Sequence, residues 1–468
     1  MSAPPRLLLG VLLTAGAGYA LLQSLVVPAL PSLRRELHTS PTGSAWVFTA
    51  FLLAACVATP LASRLGDLYG KKRLLVVVLL ALAAGTLLSA LATSLSVMIL
   101  GRVVQGFGGA VFPLAFGIMR DELPPHRVRG GIGAMTAVLG MGGVVGIVLA
   151  GPILDNLSYH WLFWIPLVVI VTALAATLVM VRETRVRAEG SLSWLAALLF
   201  SGSLVCLLVA VSKAPEWGWG SNKVAALMLA AAALAIAWVE TERRTRHPFV
   251  DLRVVVRRGT WTANLAAILL GWGLYSGFVL VPQFVQEPTS TGYGFGVSTT
   301  RAGLFLLPWA AAMLFASPLS SRLSATRGSK WALTFGSVVG AGGFVLLLVA
   351  HGHEWEVLVA SAVIGTGVGL AFTAVANLVI ETVPPTDTSV ASGVNIIART
   401  IGGVVGTQVA VSVVATTITA SGQPTLNGYL WIFGISAAML GLAALAALRA
   451  PAVARAGASQ AALQVSTE

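Results

Sequence analysis

Leu61-Ala-Ser-Arg-Leu-Gly-Asp-Leu-Tyr-Gly-Lys-Lys-Arg-Leu-Leu75 is a short charged turn wedged between two long apolar runs. Gly70 lets the chain reverse without a side-chain clash, Asp67 lies near the end of the incoming helix, and Lys71, Lys72 and Arg73 open the next. Basic residues at the ends of apolar segments collect on the cytoplasmic side of a membrane, so the stretch predicts a cytoplasmic loop between two spanning helices. The run Gly66-x-x-x-Gly70-Lys71-Lys72 is one residue short of a phosphate-binding loop and has Lys where that loop needs Ser or Thr. No nucleotide site is expected there.

Composition points the same way. Of 468 residues, 57% are hydrophobic and 10% charged, against about 25% charged in an ordinary soluble domain. The net charge of +12 sits in short clusters at segment ends, without the basic-aromatic interleaving of a nucleic-acid binder. Cys56 and Cys206 each lie inside an apolar run, which leaves no disulfide framework or metal cluster. Arg6 followed by Leu7 to Ala20 imitates a secretory signal, but the apolar run continues through Val27, and we read an uncleaved first helix.

Counting apolar runs of about 20 residues gives fourteen spans. They lie near 8–31, 43–63, 74–95, 97–119, 130–154, 160–181, 191–212, 221–239, 260–284, 299–321, 331–351, 355–379, 389–419 and 428–449. With the N-terminus inside, 22 Lys and Arg fall in inside loops and five in outside loops, while Arg102 and Arg399 stay within spans. That asymmetry predicts two cytoplasmic termini. Pro318 to Lys330 echoes Pro60 to Lys72, with Gly328 answering Gly70, Ala325 answering Asp67 and Lys330 answering Lys72. An internal repeat of this kind predicts two related bundles. The expected organisation is a six-helix bundle at 1–182, a linker with two extra spans and a cytoplasmic amphipathic stretch at 183–258, a second six-helix bundle at 259–450, and a cytoplasmic tail at 451–468.

The turn resembles the loop signature of the major facilitator superfamily, Gly-x-Leu-Ala-Asp-Arg-x-Gly-Arg-Lys. Asp67, Gly70, Lys71 and Lys72 match it, while Ser63 and Leu68 depart from it. Fourteen spans in a six, two, six order resemble the drug:proton antiporter subfamily. So do Arg102-Val-Val-Gln-Gly106, Gly146 to Pro152, Trp161-Leu-Phe-Trp164, Ala391-Ser-Gly-Val-Asn395 and Arg399-Thr-Ile-Gly-Gly. The resemblance implies the all-α integral membrane fold of that family, two six-helix bundles with a two-helix insert between them, and export of small molecules.

Arg102, several residues inside the fourth span, is the sharpest single residue, because burying a cation there costs at least a few kcal/mol. It either snorkels to the outer interface or, as the resemblance implies, takes part in proton coupling. The acid that family members often carry in the first span is absent, since Leu21-Leu22-Gln23-Ser24 stands before Ala29-Leu30-Pro31. Gln23 can hydrogen-bond Arg102 but cannot carry a proton. Asp155 and Glu287, at outer ends of spans, are the remaining candidates for coupling, with exposed loop acids as the plain alternative. Asp67 is placed to meet the N-terminus of another helix and to pair with Lys71 or Lys72. The resemblance puts that helix start near Thr388 and Ser389 and adds Asp121 to a cytoplasmic latch. Gly142, Gly146 and Gly151 with Pro152 answer the antiporter motif of the family, although close helix packing explains the glycines alone. A substrate cavity is expected from Gln23, Phe51, Gln105, Trp272, Tyr275, Trp309, Asn377, Asn395 and Arg399, which mix aromatic surface with few polar groups. His351, His353, Glu354 and Glu356 cluster in one short loop without metal-ligand spacing.

The expectation is a monomeric multi-pass exporter of the plasma membrane, without cofactor, metal, nucleic acid or enzyme site. It would move hydrophobic, cationic or neutral drugs, antibiotics or secondary metabolites by alternating access, driven by protons, with lipid around it. Uptake or facilitated transport of a small metabolite, and a non-transporting membrane sensor, are the alternatives.

Overall fold

The computed structural model describes residues 5–39, 41–184, 186–187, 193–245, 252–417 and 423–451. The tail 452–468 and the centres of the two basic linker stretches, 188–192 and 246–251, lie outside the described residues. Among the described residues, fourteen helices are long and apolar enough to cross a membrane. They are α1 Pro5–Glu36, α2 Pro41–Tyr69, α3 Lys71–Ala90, α4 Leu95–Glu122, α5 Pro125–Asn156, α6 Trp161–Met180, α7 Trp194–Trp217, α8 Asn222–Arg244, α9 Arg258–Gln286, α10 Arg301–Arg327, α11 Ser329–Val349, α12 Glu354–Thr382, α13 Thr388–Thr416 and α14 Leu426–Leu448.

The boundaries follow local chemistry. Ser94, Ser193, Ser221 and Ser298 accept from the backbone three residues on and open α4, α7, α8 and the short turn before α10. Gly70 and Gly328, the paired glycines of the repeat, both hold positive φ, 119° and 96°. A Cβ strains that backbone, so each reversal needs its glycine. In α4 the Gly106–Ala110 segment tightens to a 3-10 turn just after Arg102 and Gln105.

Helices α1–α6 close around one core that includes Leu12, Phe51, Leu79 and Phe163. Helices α9–α14 close around another that includes Phe284, Trp309, Phe344 and Phe433. The halves meet along two seams. On the first, Gly133 and Gly140 of α5 leave room for Ser321 and Met313 of α10. On the second, Gly393 of α13 lies against Ser63 of α2. The inserted pair α7 and α8 packs outside this second seam, with Leu204 and Leu208 of α7 against Cys56 of α2 and Ile397 of α13. Trp219, between α7 and α8, donates to Ser412 Oγ of α13 at 3.0 Å. Only 11% of α8 is buried, against 72% of α12, so α8 presents most of its surface to lipid. The start of α1, the end of α14, the α2–α3 turn and the α10–α11 turn share what we call the basic end; the opposite end is the far end.

Candidate functional site

At the basic end a buried charge network joins the halves. Asp67 and Lys71 are fully buried. Lys71 Nζ lies 2.7 Å from Asp121 Oδ2 and 3.6 Å from Asp67 Oδ1, and Asp67 Oδ2 accepts from the Val390 backbone N at 3.0 Å. Val390 is in the first turn of α13, where backbone N–H groups lack helical partners and the helix dipole favours an anion. Lys72 turns elsewhere, donating to the Leu178 carbonyl at 3.1 Å. Glu183 accepts from the backbone N of Lys72 and of Arg73, each at 3.2 Å, and a Cβ on Gly70 would fall 2.6 Å from its carboxylate. Further contacts cross between halves. Arg120 donates to Thr388 Oγ1 at 2.6 Å and to the Val383 carbonyl at 2.9 Å. Arg129 pairs with Glu381 at 2.9 Å, and Arg64 with Asp387 at 3.7 Å.

Deeper, between the halves, lies a narrow crevice with a cavity volume of about 10 Å³, nearly closed in this conformation. Phe112 and Phe116 of α4 and Thr136 of α5 line one side; Ser392, Asn395 and Arg399 of α13 line the other. Arg399 sits over the Phe372 ring at 5.0 Å. Asn395 donates to the Ala263 carbonyl and to Asn264 Oδ1, at 3.2 and 3.0 Å, which ties α13 to α9. A second crevice, with a cavity volume of about 100 Å³, lies behind α7, lined by Phe48, Leu208, Ser212, Tyr275, Thr407 and Gln408.

Arg102 stays inside rather than reaching the interface. Its side chain is fully buried, donating to the Val47 carbonyl at 2.9 Å, the Leu22 carbonyl at 3.4 Å and Gln105 Oε1 at 2.7 Å, with its guanidinium 4.2 Å from the Phe51 ring centre. The first helix meets it through the main chain of Leu22, whereas the sequence pointed to the Gln23 amide. Gln105 in turn donates to the Gly85 carbonyl and to Ser89 Oγ, both at 3.1 Å.

The remaining expected residues are dispersed. Trp309 is fully buried in the core of the second half, its ring tilted against Phe278 with centres 5.0 Å apart, and Trp272 lies against Gly406. Asn377 is 1% exposed, with neither amide atom hydrogen-bonded among the described residues. Glu287 accepts from the Tyr429 hydroxyl at 2.8 Å at the far end, within the second half alone. Beside it, burial and then the Glu287 charge push the Tyr293 phenol up to about 12, so it stays neutral and donates to the Pro424 carbonyl at 2.7 Å. The Asp155 side chain lies outside the described residues. Gly142 and Gly146 face α1, where Ser24 Oγ donates to the Gly142 carbonyl at 2.8 Å and occupies the space a Cβ on Gly146 would need. Gly151 and Pro152 complete that helix, with Pro152 inside it. His353 and Glu356 cap α12 reciprocally and Glu354 pairs with Arg301 at 2.8 Å; among the described residues no group of three metal-ligating side chains forms.

Sequence reasoning missed Glu183, Arg120, the Arg129–Glu381 and Arg64–Asp387 pairs, and the crevice residues Phe112, Phe116, Thr136 and Ser392. Helical spacing carried a signal for some of them, since Phe112 and Phe116 are four apart and Ser392, Asn395 and Arg399 are three and four apart.

A sequence profile described as Major Facilitator Superfamily matches residues 12–407. The chain is 28% identical over 427 residues to the "Multidrug resistance protein B homolog" of Mycobacterium tuberculosis, covering 87% of this chain and 76% of that one. It is 28% identical over 400 residues to the "Tetracenomycin C resistance and export protein" of Streptomyces glaucescens, covering 83% and 72%. Among solved structures, the human organic anion transporter MFSD10 (TETRAN) superposes with a TM-score of 0.69 at 15% identity, covering 95% of this chain and 99% of that one. The proton:xylose symporter XylE superposes at 0.67 and 12% identity, covering 94% of each. A profile match across most of the length, fourteen spanning helices and two six-helix bundles joined through an inserted pair place this chain in the major facilitator superfamily.

Proposed function

We propose that this transporter exports hydrophobic small molecules, drugs, antibiotics or secondary metabolites, across the plasma membrane by alternating access, as a proton antiporter. The basic end then faces the cytoplasm, as the Lys and Arg asymmetry requires. The moving units are 1–182 and 259–450, with α7 and α8 riding on the second seam. One observation carries the reading. The charge network of Asp67, Lys71, Asp121 and Val390 bridges the two halves at the basic end, and a narrow crevice lined by both halves lies deeper between them. Breaking it opens the cytoplasmic side; making it closes that side. Export as the direction is supported by relatives whose names include resistance and export for tetracenomycin C, multidrug resistance, and probable actinorhodin transport.

The test is transport in proteoliposomes under an imposed pH gradient, with a panel of lipophilic drugs and aromatic antibiotics. Cargo movement that follows the gradient and collapses with an uncoupler is expected. Binding without flux for every panel member would favour a sensor and end the export reading.

A further inference from the structure

The central crevice has two unlike walls. The α4 wall is aromatic, with Phe112 and Phe116 edge to face, ring centres 6.4 Å apart. The α13 wall carries the polar and cationic groups, Ser392, Asn395 and Arg399 beside the apolar Ile396. None of the residues lining the crevice is acidic. Arg399 forms no ion pair among the described residues; the ionisable side chains facing it are Tyr19 of α1 and Tyr275 of α9. Phe372 covers the guanidinium at 5.0 Å, leaving edge N–H groups for an oxygen acceptor. About two turns earlier on the same helix and lining the same crevice, Ser392 Oγ is buried, its residue 4% exposed, without a hydrogen-bond partner among the described residues. A cation held inside a membrane protein without a counter-charge is costly, and an anionic ligand relieves that cost where a cationic one adds to it.

We infer that the crevice, nearly closed here and widened as the two halves part, takes planar aromatic anions, with the ring system against Phe112 and Phe116 and a carboxylate or phenolate oxygen on the face that carries Arg399 and Ser392. This rests on the transport reading above and replaces the cationic or neutral cargo expected from sequence. Arg399 is then the selectivity residue for charge, and Phe112 and Phe116 select for a ring without regard to charge.

The test uses the purified full-length chain in nanodiscs and three probes sharing one ring system: 2-naphthoate, 2-naphthalenemethanol and 2-naphthylmethylammonium. By calorimetry, naphthoate is expected to bind at least about tenfold more tightly than the alcohol, the worth of a charge-assisted hydrogen bond, and the ammonium more weakly than either. Arg399→Gln should bring the naphthoate-to-alcohol ratio near one, and Arg399→Lys should restore part of it. Ammonium binding as tight as naphthoate, binding of none of the three, or an unchanged ratio in Arg399→Gln would overturn the assignment. Should Arg399→Gln fail to reach the membrane, the wild-type probe series and Ser392→Ala, expected to weaken naphthoate about threefold, decide alone. Flux in proteoliposomes separates the two readings. Naphthoate bound but not moved defeats export and leaves this inference standing, whereas ammonium moved in preference to naphthoate defeats this inference and leaves export.

Discussion

Arg102 and Arg399 are both arginines in spanning helices, and their surroundings give them different work. Arg102 is sealed, each of its bonds ending on a neutral acceptor, with the Val47 and Leu22 carbonyls on two other helices. It pins α4 to α1 and α2. A lysine cannot reach both carbonyls from one ammonium while covering Phe51, so Arg102→Lys should cost about 2 kcal/mol, one to two charge-assisted bonds. That loss is read as a lower melting temperature in detergent together with reduced export. Full export from a protein that melts at the wild-type temperature would show that the pin is dispensable. Both cations stood out in the sequence, because charge inside an apolar run is rare. What they touch did not, since the partners of Arg102 are mostly main-chain carbonyls, which every residue has. Arg399 is told apart from Arg102 only by the crevice at its side, a property of two packed halves that no local window contains.

Between elements, close approach and charge do separate jobs. Helices α1 and α5 touch where Ser24 meets Gly142 and Gly146, a contact that works only with small residues. Gly146→Ala should destabilise by about 1–3 kcal/mol through overpacking, and Ser24→Gly in the same chain should recover most of it. A double variant no better than Gly146→Ala, by melting temperature, would place the constraint elsewhere. The contact between α2 and α13, the proposed latch, is electrostatic. Asp67→Asn keeps an oxygen for the Val390 N–H but removes the charge that faces Lys71 and the start of α13. The basic end should then open more readily, and a cysteine reporter there should label faster while export falls several-fold, about 1 kcal/mol or more of a buried charged contact. Unchanged labelling and export would remove the latch from the mechanism. The repeat made Gly70 and Gly328 legible as matched reversals. It also showed Ala325 standing where the first turn has Asp67, but could not reveal that this side of the seam is closed by Arg129, Glu381 and Ser329 instead. Those residues belong to different helices, brought together only by folding.

At the scale of the whole molecule, fourteen spans and their order were readable because hydropathy and basic caps repeat along the chain. The inserted helices, by contrast, could be counted but not placed. Their position outside the α2–α13 seam depends on packing of Leu204 and Leu208 against Cys56 and Ile397, ordinary apolar residues without a signature. Charge bookkeeping across the complete cycle yields the last prediction. If one proton enters as one aromatic anion leaves, both movements carry positive charge inward, two charges per turnover. The membrane potential then contributes about 4.6 kcal/mol per 100 mV, twice the single-charge value. One proton exchanged for one cation would carry none. Proteoliposomes with a fixed pH gradient and a potential set by potassium and valinomycin separate the cases. With the lumen standing for the outside, making the outer medium negative by 100 mV should raise the steady-state accumulation ratio of naphthoate by roughly three orders of magnitude, before leak limits it. Reversing the potential should suppress accumulation by the same factor. Accumulation indifferent to the potential would mean an electroneutral exchange, and the pairing of an inward proton with an outward anion would fall with it.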